Sequence, residues 1–292
     1  MILVTGGSGF VGPTVVHALR AQNHDVRCLV RSSRRASRLA DWGCELVEGD
    51  MTDAASLRRA VTGCDTVVHL VAIIAGKPSD FERVMTKGTR DLVAAARDAR
   101  VRRFVLMSAL GTGEETKELT SYFAAKWAME REVKGSGIEH VVFRPSFVFG
   151  RDGGVLPTFV KLVRYTPVIP VIGPGTQRLQ PIWVEDVAQF FARAIETGSG
   201  TYELGGPEAV TWDELYDRIA AVLGKRRAKV HVPFGLVRAN ATVLEALPGP
   251  TPVTRDQLTM LERSGQTCDV QPAVATFGVD LTSLDEQLRR AA

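Results

Sequence analysis

Thr5-Gly6-Gly7-Ser8-Gly9-Phe10-Val11-Gly12 is the stretch that decides how this chain reads. It satisfies both G-x-G-x-x-G and T-G-x-x-G-x-x-G. It follows the apolar run Ile2-Leu3-Val4, which reads as a strand, and precedes a helical pattern from Pro13 to Ala21. Glycine is needed in such a turn because a side chain would hold the backbone away from a pyrophosphate. The helix that follows offers free N–H groups and a positive dipole end to the same phosphates. Gly12 allows close helix–strand packing, and Pro13 is tolerated in a first helical turn. A chance glycine-rich turn is the competing reading; the strand before and the helix after argue against it. Thr5 to Gly12 are therefore candidate dinucleotide-binding residues.

The residues after the second strand, Asp25 to Val30, bear on which dinucleotide. An Asp or Glu there would take the ribose 2′-OH of NAD. Arg31 stands in that place, followed by Ser32, Ser33, Arg34 and Arg35, with Arg38 close by. A guanidinium suits a 2′-phosphate, so Arg31, Ser32 and Arg34 favour NADP(H), with NAD(H) as the alternative. A solvated helix start accounts for some of these arginines. Asp50-Met51 after the third strand falls where adenine is bracketed, and Val71-Ala72-Ile73 after the fourth lines the adenosine side.

Further along, strands at Glu45–Val47, Thr66–Val71, Arg103–Met107 and His140–Phe143 alternate with helical segments at 36–41, 54–61, 80–99 and 122–134. Strands that are apolar throughout and separated by helices indicate a doubly wound parallel sheet of the α/β class, buried on both faces. After Arg144-Pro145 prolines and glycines accumulate, so 151–181 reads as loop-rich. Trp183 to Glu196 reads as a helix and Thr201 to Leu204 as a strand of the main sheet. Later helices fall near 212–223, 237–247, 255–263 and 283–290. The expected organisation is a Rossmann domain over 1–150 plus about 182–204. A smaller, interleaved C-terminal α/β domain for substrate or partner covers 151–181 and 205–292.

The 292 residues are 45% hydrophobic and 24% charged, as in an ordinary globular enzyme, and the net charge of +3 gives no case for nucleic acid. Cys28, Cys44, Cys64 and Cys268 lack C-x-x-C spacing and read as reduced thiols of a cytoplasmic protein. Met1–Val4 enters the turn with no basic leader region. The longest apolar run, Val67 to Ala75, falls far short of the roughly 20 residues of a membrane span. The expected location is therefore the cytoplasm, with peripheral attachment to the inner face of a membrane as the alternative. No two histidines show metal-ligand spacing, so no metal is expected.

Tyr122 and Lys126 are four apart on a predicted helix and share one face. An ammonium near a phenol, together with a nicotinamide cation, favours phenolate and lowers the tyrosine pKa from about 10. Such a tyrosine can exchange the proton that accompanies hydride transfer. An ordinary amphipathic helix is the competing reading of Y-x-x-x-K taken alone. His69, inside an apolar strand, reads as a core histidine satisfied by its neighbours; His140 and His231 belong to no motif. Glu185-Asp186 suits the positive end of a helix. The apolar residues between Val232 and Leu247 read as core, with docking to a partner or membrane surface as the alternative.

Together the Gly-rich turn and the Tyr–Lys pair resemble the short-chain dehydrogenase/reductase superfamily, in its extended or atypical, epimerase- and NmrA-like branch. Arg144-Pro145-Ser146-Phe147-Val148-Phe149-Gly150 is similar to the R-P-x-x-V-[YF]-G segment, which implies that Pro145 and Phe147 border the nicotinamide. Gln180 to Ala188 resembles the h-V-x-D-V-A block, and Tyr202 to Pro207 the Y-x-L-G-G-P block. Ser108-Ala109-Leu110-Gly111, Leu247 to Pro250 and Thr254 to Leu258 resemble the subfamily of the nucleotide-binding accessory subunit of respiratory complex I. Two departures bear on catalysis. Leu110 stands where a catalytic Ser or Thr is usual, and Met85 where an asparagine is usual. Ser108 is the candidate substitute hydroxyl.

Two functions follow from this reading. One is an NADP(H)-dependent oxidoreductase acting on a small-molecule carbonyl through Tyr122, Lys126 and Ser108. The other is a non-catalytic NADPH-binding subunit whose partners are respiratory complex subunits. A sugar-nucleotide epimerase or dehydratase is a weaker alternative, because the usual Ser/Thr is missing and the substrate half is short.

Overall fold

The computed structural model describes residues 1–245, 255–263 and 266–292, without the side chains of 240–245 and 263. Leu247 to Pro250 and Thr254, quoted above, lie outside the described residues, as do the side chains of Val243 and Leu244.

The first half of the chain forms β1 (Ile2–Thr5), α1 (Gly12–Ala21), β2 (Val26–Val30), α2 (Ser37–Asp41), β3 (Glu45–Glu48), α3 (Ala54–Val61) and β4 (Thr66–His69). It continues through α4 (Pro78–Phe81), α5 (Gly88–Asp98), β5 (Arg103–Met107), α6 (Ser121–Lys134) and β6 (Glu139–Pro145). With Gly200–Leu204 the strands make one seven-stranded sheet, in the order Gly200–Leu204, β6, β5, β4, β1, β2, β3. All neighbours in it are parallel. Its inner strands are fully buried, as apolar runs between two helical layers must be. Leu3, Leu57, Leu92, Phe104, Met129 and Val142 belong to one core cluster. The chain moves outward from β1 to β3 and then returns to β4 on the other side of β1. The loops after β1 and β4 therefore diverge, and that switch point at the carboxyl edge is where such sheets receive ligands.

Two compact units result. The first comprises Met1–Pro145, Val184–Leu204 and Val270–Asp280; the second comprises Ser146–Trp183, Gly205–Asp269 and Leu281–Ala292. In the second, Val168–Ile172 pairs in parallel with Ala228–Val232. Phe149, Leu156, Trp212, Leu215, Ile219 and Leu288 belong to its core.

Four expectations need correction. The stretch 151–181 is not all loop: Leu156–Tyr165 is a helix with Pro157 in its first turn, where a missing N–H costs nothing. Trp183 closes the short strand Ile182–Trp183, so the helix begins at Val184. The single helix expected over 80–99 is α4, a π-helical segment Glu82–Lys87, and α5. Met85 lies in the π-segment and is fully buried, so it acts as core. Finally, Val270–Asp280 belongs to the first unit and not the second. Its Phe277 ring packs 4.9 Å from Tyr202 and 5.2 Å from Phe143.

Candidate functional site

The Gly-rich turn closes tightly on itself. Gly9 N–H donates to the Gly6 carbonyl at 3.0 Å, and Gly6 has φ +79°, a left-handed conformation open to glycine. A Cβ on Gly12 would lie 2.2 Å from the Gly6 oxygen, so the first turn of α1 can sit against the loop only with glycine there. A Cβ on Gly6 would meet the Val71 nitrogen at 3.0 Å, which brings the loops after β1 and β4 into contact. Thr5 and Gly7 are buried beneath the turn, whereas Ser8, Gly9 and Phe10 form an exposed tip. The N-cap of α1, Val11, contributes no side-chain hydrogen bond, so no side chain competes for the helix's leading N–H groups. An uncapped helix end beside the exposed Ser8–Gly9 tip fits a pyrophosphate.

Around the switch point, Arg31, Arg34 and Arg35 are exposed, and Ser32 is half-buried. Glu48 at the end of β3 engages this loop, and Asp50 lies two residues beyond it. Glu48 Oε1 accepts the Ser33 N–H at 2.7 Å. Asp50 accepts from the Thr52 N–H and hydroxyl at 2.9 and 2.7 Å. The Thr52 hydroxyl holds its carboxyl below the usual carboxylate range, and Arg31 and Arg83 add to this. Met51 corrects the bracket read at Asp50-Met51: its side chain is 5% exposed, in the core cluster beside Gly88. Val71 and Ile73 are half-buried against the same cluster, and Ala72 is exposed.

Thr120 caps α6 through its hydroxyl, which accepts the Phe123 N–H, and this cap starts the helix one residue before Tyr122. Lys126 is fully buried; its ammonium donates to the Met107 carbonyl at 2.7 Å and lies 5.7 Å from the Tyr122 ring centre. Since Met107 ends β5, the lysine sits at the carboxyl edge of the sheet, one strand (β4) removed from β1 and its turn. Burial pushes Lys126 down to about 7, while the nearby Glu130 carboxylate pulls it upward. Burial also pushes Tyr122 above the ordinary tyrosine value. Desolvation therefore favours the phenol form of Tyr122 in the protein alone, whereas the expected phenolate depends on the charge of a bound nicotinamide as well as on Lys126.

Ser108 is corrected as well. It is 1% exposed, and its hydroxyl donates to Glu130 Oε1 at 2.6 Å. That single proton is engaged, so it cannot polarise a carbonyl. Glu130 is the residue the sequence reading missed. Fully buried, it also accepts from Arg144 Nε and Nη2 at 2.8 Å each and from Lys134 at 2.8 Å. Its one sequence signal is its spacing four residues beyond Lys126 on the same helix face. Leu110 is 8% exposed and places no hydroxyl beside the pair.

His69 is the satisfied core histidine expected: its two ring nitrogens lie 2.6 Å from the Thr5 hydroxyl and 2.9 Å from the Thr89 hydroxyl. Pro145 ends β6, where its carbonyl accepts the Leu110 N–H. Phe147 lies in the second unit, its ring edge-on to Trp212 at 5.7 Å.

Comparison with known proteins places these residues in context. Residues 2–205 match the NAD dependent epimerase/dehydratase family. Over 84% of its length the chain is 30% identical to a 4-hydroxy-2-methyl-3-oxo-4-farnesyl-3,4-dihydroquinoline-1-oxide ketoreductase of Stigmatella aurantiaca, 79% of which is covered. Over 85% of its length it is 26% identical to the mitochondrial NADH dehydrogenase [ubiquinone] 1 alpha subcomplex subunit 9 of Arabidopsis thaliana, 65% of which is covered. An Escherichia coli NADPH-dependent quinone oxidoreductase, solved with NADPH, superposes with a TM-score of 0.81 at 22% identity. The match covers 99% of this chain and 98% of that one, and it shows a shared fold.

Proposed function

The chain belongs to the NAD dependent epimerase/dehydratase family, and from that premise we propose that it is an NADP(H)-dependent reductase of a small-molecule carbonyl. The observation that carries this reading is the placement of Lys126. Its ammonium is fixed on the last carbonyl of β5, beside Tyr122, at the sheet edge that also bears the Gly-rich turn. Gly6 to Gly12 would hold the pyrophosphate, Arg31, Ser32 and Arg34 the 2′-phosphate, and Asp50 with Val71 to Ile73 the adenosine. Pro145, at the end of β6, would border the nicotinamide. When bound, NADPH supplies the hydride.

The protein's own part is to place and move a proton. Tyr122, whose phenol form desolvation favours, donates its proton to the carbonyl oxygen as charge develops there. Lys126 lies against the tyrosine ring and, when protonated, stabilises the phenolate left behind. Ser108 takes no part in this step, since its hydroxyl serves Glu130. The ketoreductase relative supports a carbonyl as the group reduced.

A second reading, a non-catalytic NADPH-binding subunit of a respiratory assembly, is favoured by the engaged Ser108 hydroxyl and the apolar Leu110, and by similarity to the complex I subunit. In either case no helix among the described residues is long and apolar enough to cross a membrane.

One experiment separates the two readings. NADPH oxidation is followed over a panel of ketones and quinones, with wild type and Tyr122→Phe. The expected outcome is turnover that falls by about 100-fold or more in the variant, with NADPH affinity unchanged. Turnover indifferent to the substitution removes the tyrosine mechanism. Tight NADPH binding with no turnover on any member of the panel supports the subunit.

A further inference from the structure

The basic loop after β2 was read as the place of a 2′-phosphate, yet one of its backbone donors, the Ser33 N–H, is already met by a carboxylate of the same chain. Val30 and Glu48 are register partners at the ends of β2 and β3, so Glu48 emerges directly beside the loop. Its carboxylate accepts the Ser33 N–H at 2.7 Å, in the middle of the run Arg31-Ser32-Ser33-Arg34-Arg35. The Ser33 N–H and hydroxyl hold Glu48 below the usual carboxylate range, so it carries its charge at neutral pH. Two residues on, Asp50 draws on the field of Arg31. Arg34 and Arg35 remain exposed, with no ion pair to any described residue.

We infer that Glu48 is a specificity-determining residue that competes with a cofactor 2′-phosphate for the Ser33 N–H and so sets the balance between NADP(H) and NAD(H). This rests on the 2′-phosphate reading of Arg31 and deepens it. An N–H well aligned to one anion cannot serve a second, and a phosphate brought to this loop meets the Glu48 charge at close range. A neutral ribose hydroxyl meets no such repulsion and can itself donate to a carboxylate. The loop therefore carries opposed determinants: guanidinium groups that favour the phosphate, and a carboxylate from the adjacent strand that opposes it. Inspection of the residues after β2 alone overstates the preference for NADP(H).

Two small probes test this without turnover: 2′,5′-ADP carries the 2′-phosphate, and 5′-AMP lacks it. Their affinities are measured by calorimetry for the full chain, Glu48→Gln and Arg31→Ala; Glu48 is exposed, and far-UV circular dichroism checks each fold. Glu48→Gln is expected to tighten 2′,5′-ADP by about three- to fivefold at low salt, in keeping with one surface charge, and to leave 5′-AMP within about twofold. An unchanged 2′,5′-ADP affinity, a loss of it, or an equal gain for both probes overturns the inference. Arg31→Ala tells the two failures apart. If it weakens 2′,5′-ADP selectively while Glu48→Gln is inert, the phosphate reading stands and the role of Glu48 falls. If it leaves both probes untouched, the phosphate reading falls and takes the inference with it.

Discussion

His69 shows how one buried side chain ties the site to the stability of the fold. Burial, and then the Lys126 charge, lower its pKa from 6.5 to about 3, and both ring nitrogens are engaged by threonine hydroxyls. The unfolded chain binds a proton at this residue below about pH 6.5, while the folded chain stays neutral. The unfolded state then holds more protons, so stability contributed by His69 is intact above pH 6.5 and is lost as pH falls toward 3. The expected result in a proton NMR titration is that, of the five histidines, His69 keeps its neutral imidazole shifts from pH 7.5 to about 4.5. Thermal midpoints fall over the same range. A His69 that titrates near 6.5 in the folded protein contradicts this account. The role of His69 was legible in the sequence because its neighbours are apolar. That of Ser108 was not, because its partner Glu130 is 22 residues away and meets it only through packing.

At the scale of elements, α6 is fastened to the sheet at two successive residues of the β5 edge. Lys126 holds the Met107 carbonyl, and one helical turn on Glu130 holds the Ser108 hydroxyl and the Arg144 guanidinium of β6. A fully buried carboxylate with these donors cannot lose its charge without leaving Arg144 only the more distant Glu203, at 4.0 Å. Glu130→Gln is therefore expected to destabilise the protein by about 3–5 kcal/mol, read from urea unfolding. Lys134→Ala removes only the half-exposed partner, at 35% side-chain exposure, and should cost less than about 1 kcal/mol. Equal losses in the two variants refute the central role of Glu130. The helix itself, its Thr120 cap and the Tyr122–Lys126 spacing were visible in the pattern of residues. Its contacts were not, because they depend on which strands lie beneath it.

For the molecule as a whole, the most consequential departure from the sequence reading is the return of Val270–Asp280 to the first unit. Phe277, 2% exposed, packs with Phe143, Phe190 and Tyr202 of that unit. Phe277→Ala should cost about 3–5 kcal/mol of unfolding free energy although it lies more than 70 residues beyond the last strand of the seven-stranded sheet, Gly200–Leu204. A loss below about 1 kcal/mol indicates that the segment is dispensable to that core. Local pattern by itself determined the parallel α/β sheet, the dinucleotide turn and the candidate proton-transfer pair, because hydrophobic period, glycine and proline placement and i,i+4 spacing act over a few residues. Only the tertiary structure decided that Ser108 serves Glu130, that Lys126 is fixed on the Met107 carbonyl, that Met51 is core, and that Glu48 reaches the basic loop. Each of these turns on desolvation or on a partner distant in sequence, and neither is defined until the strands have taken their order.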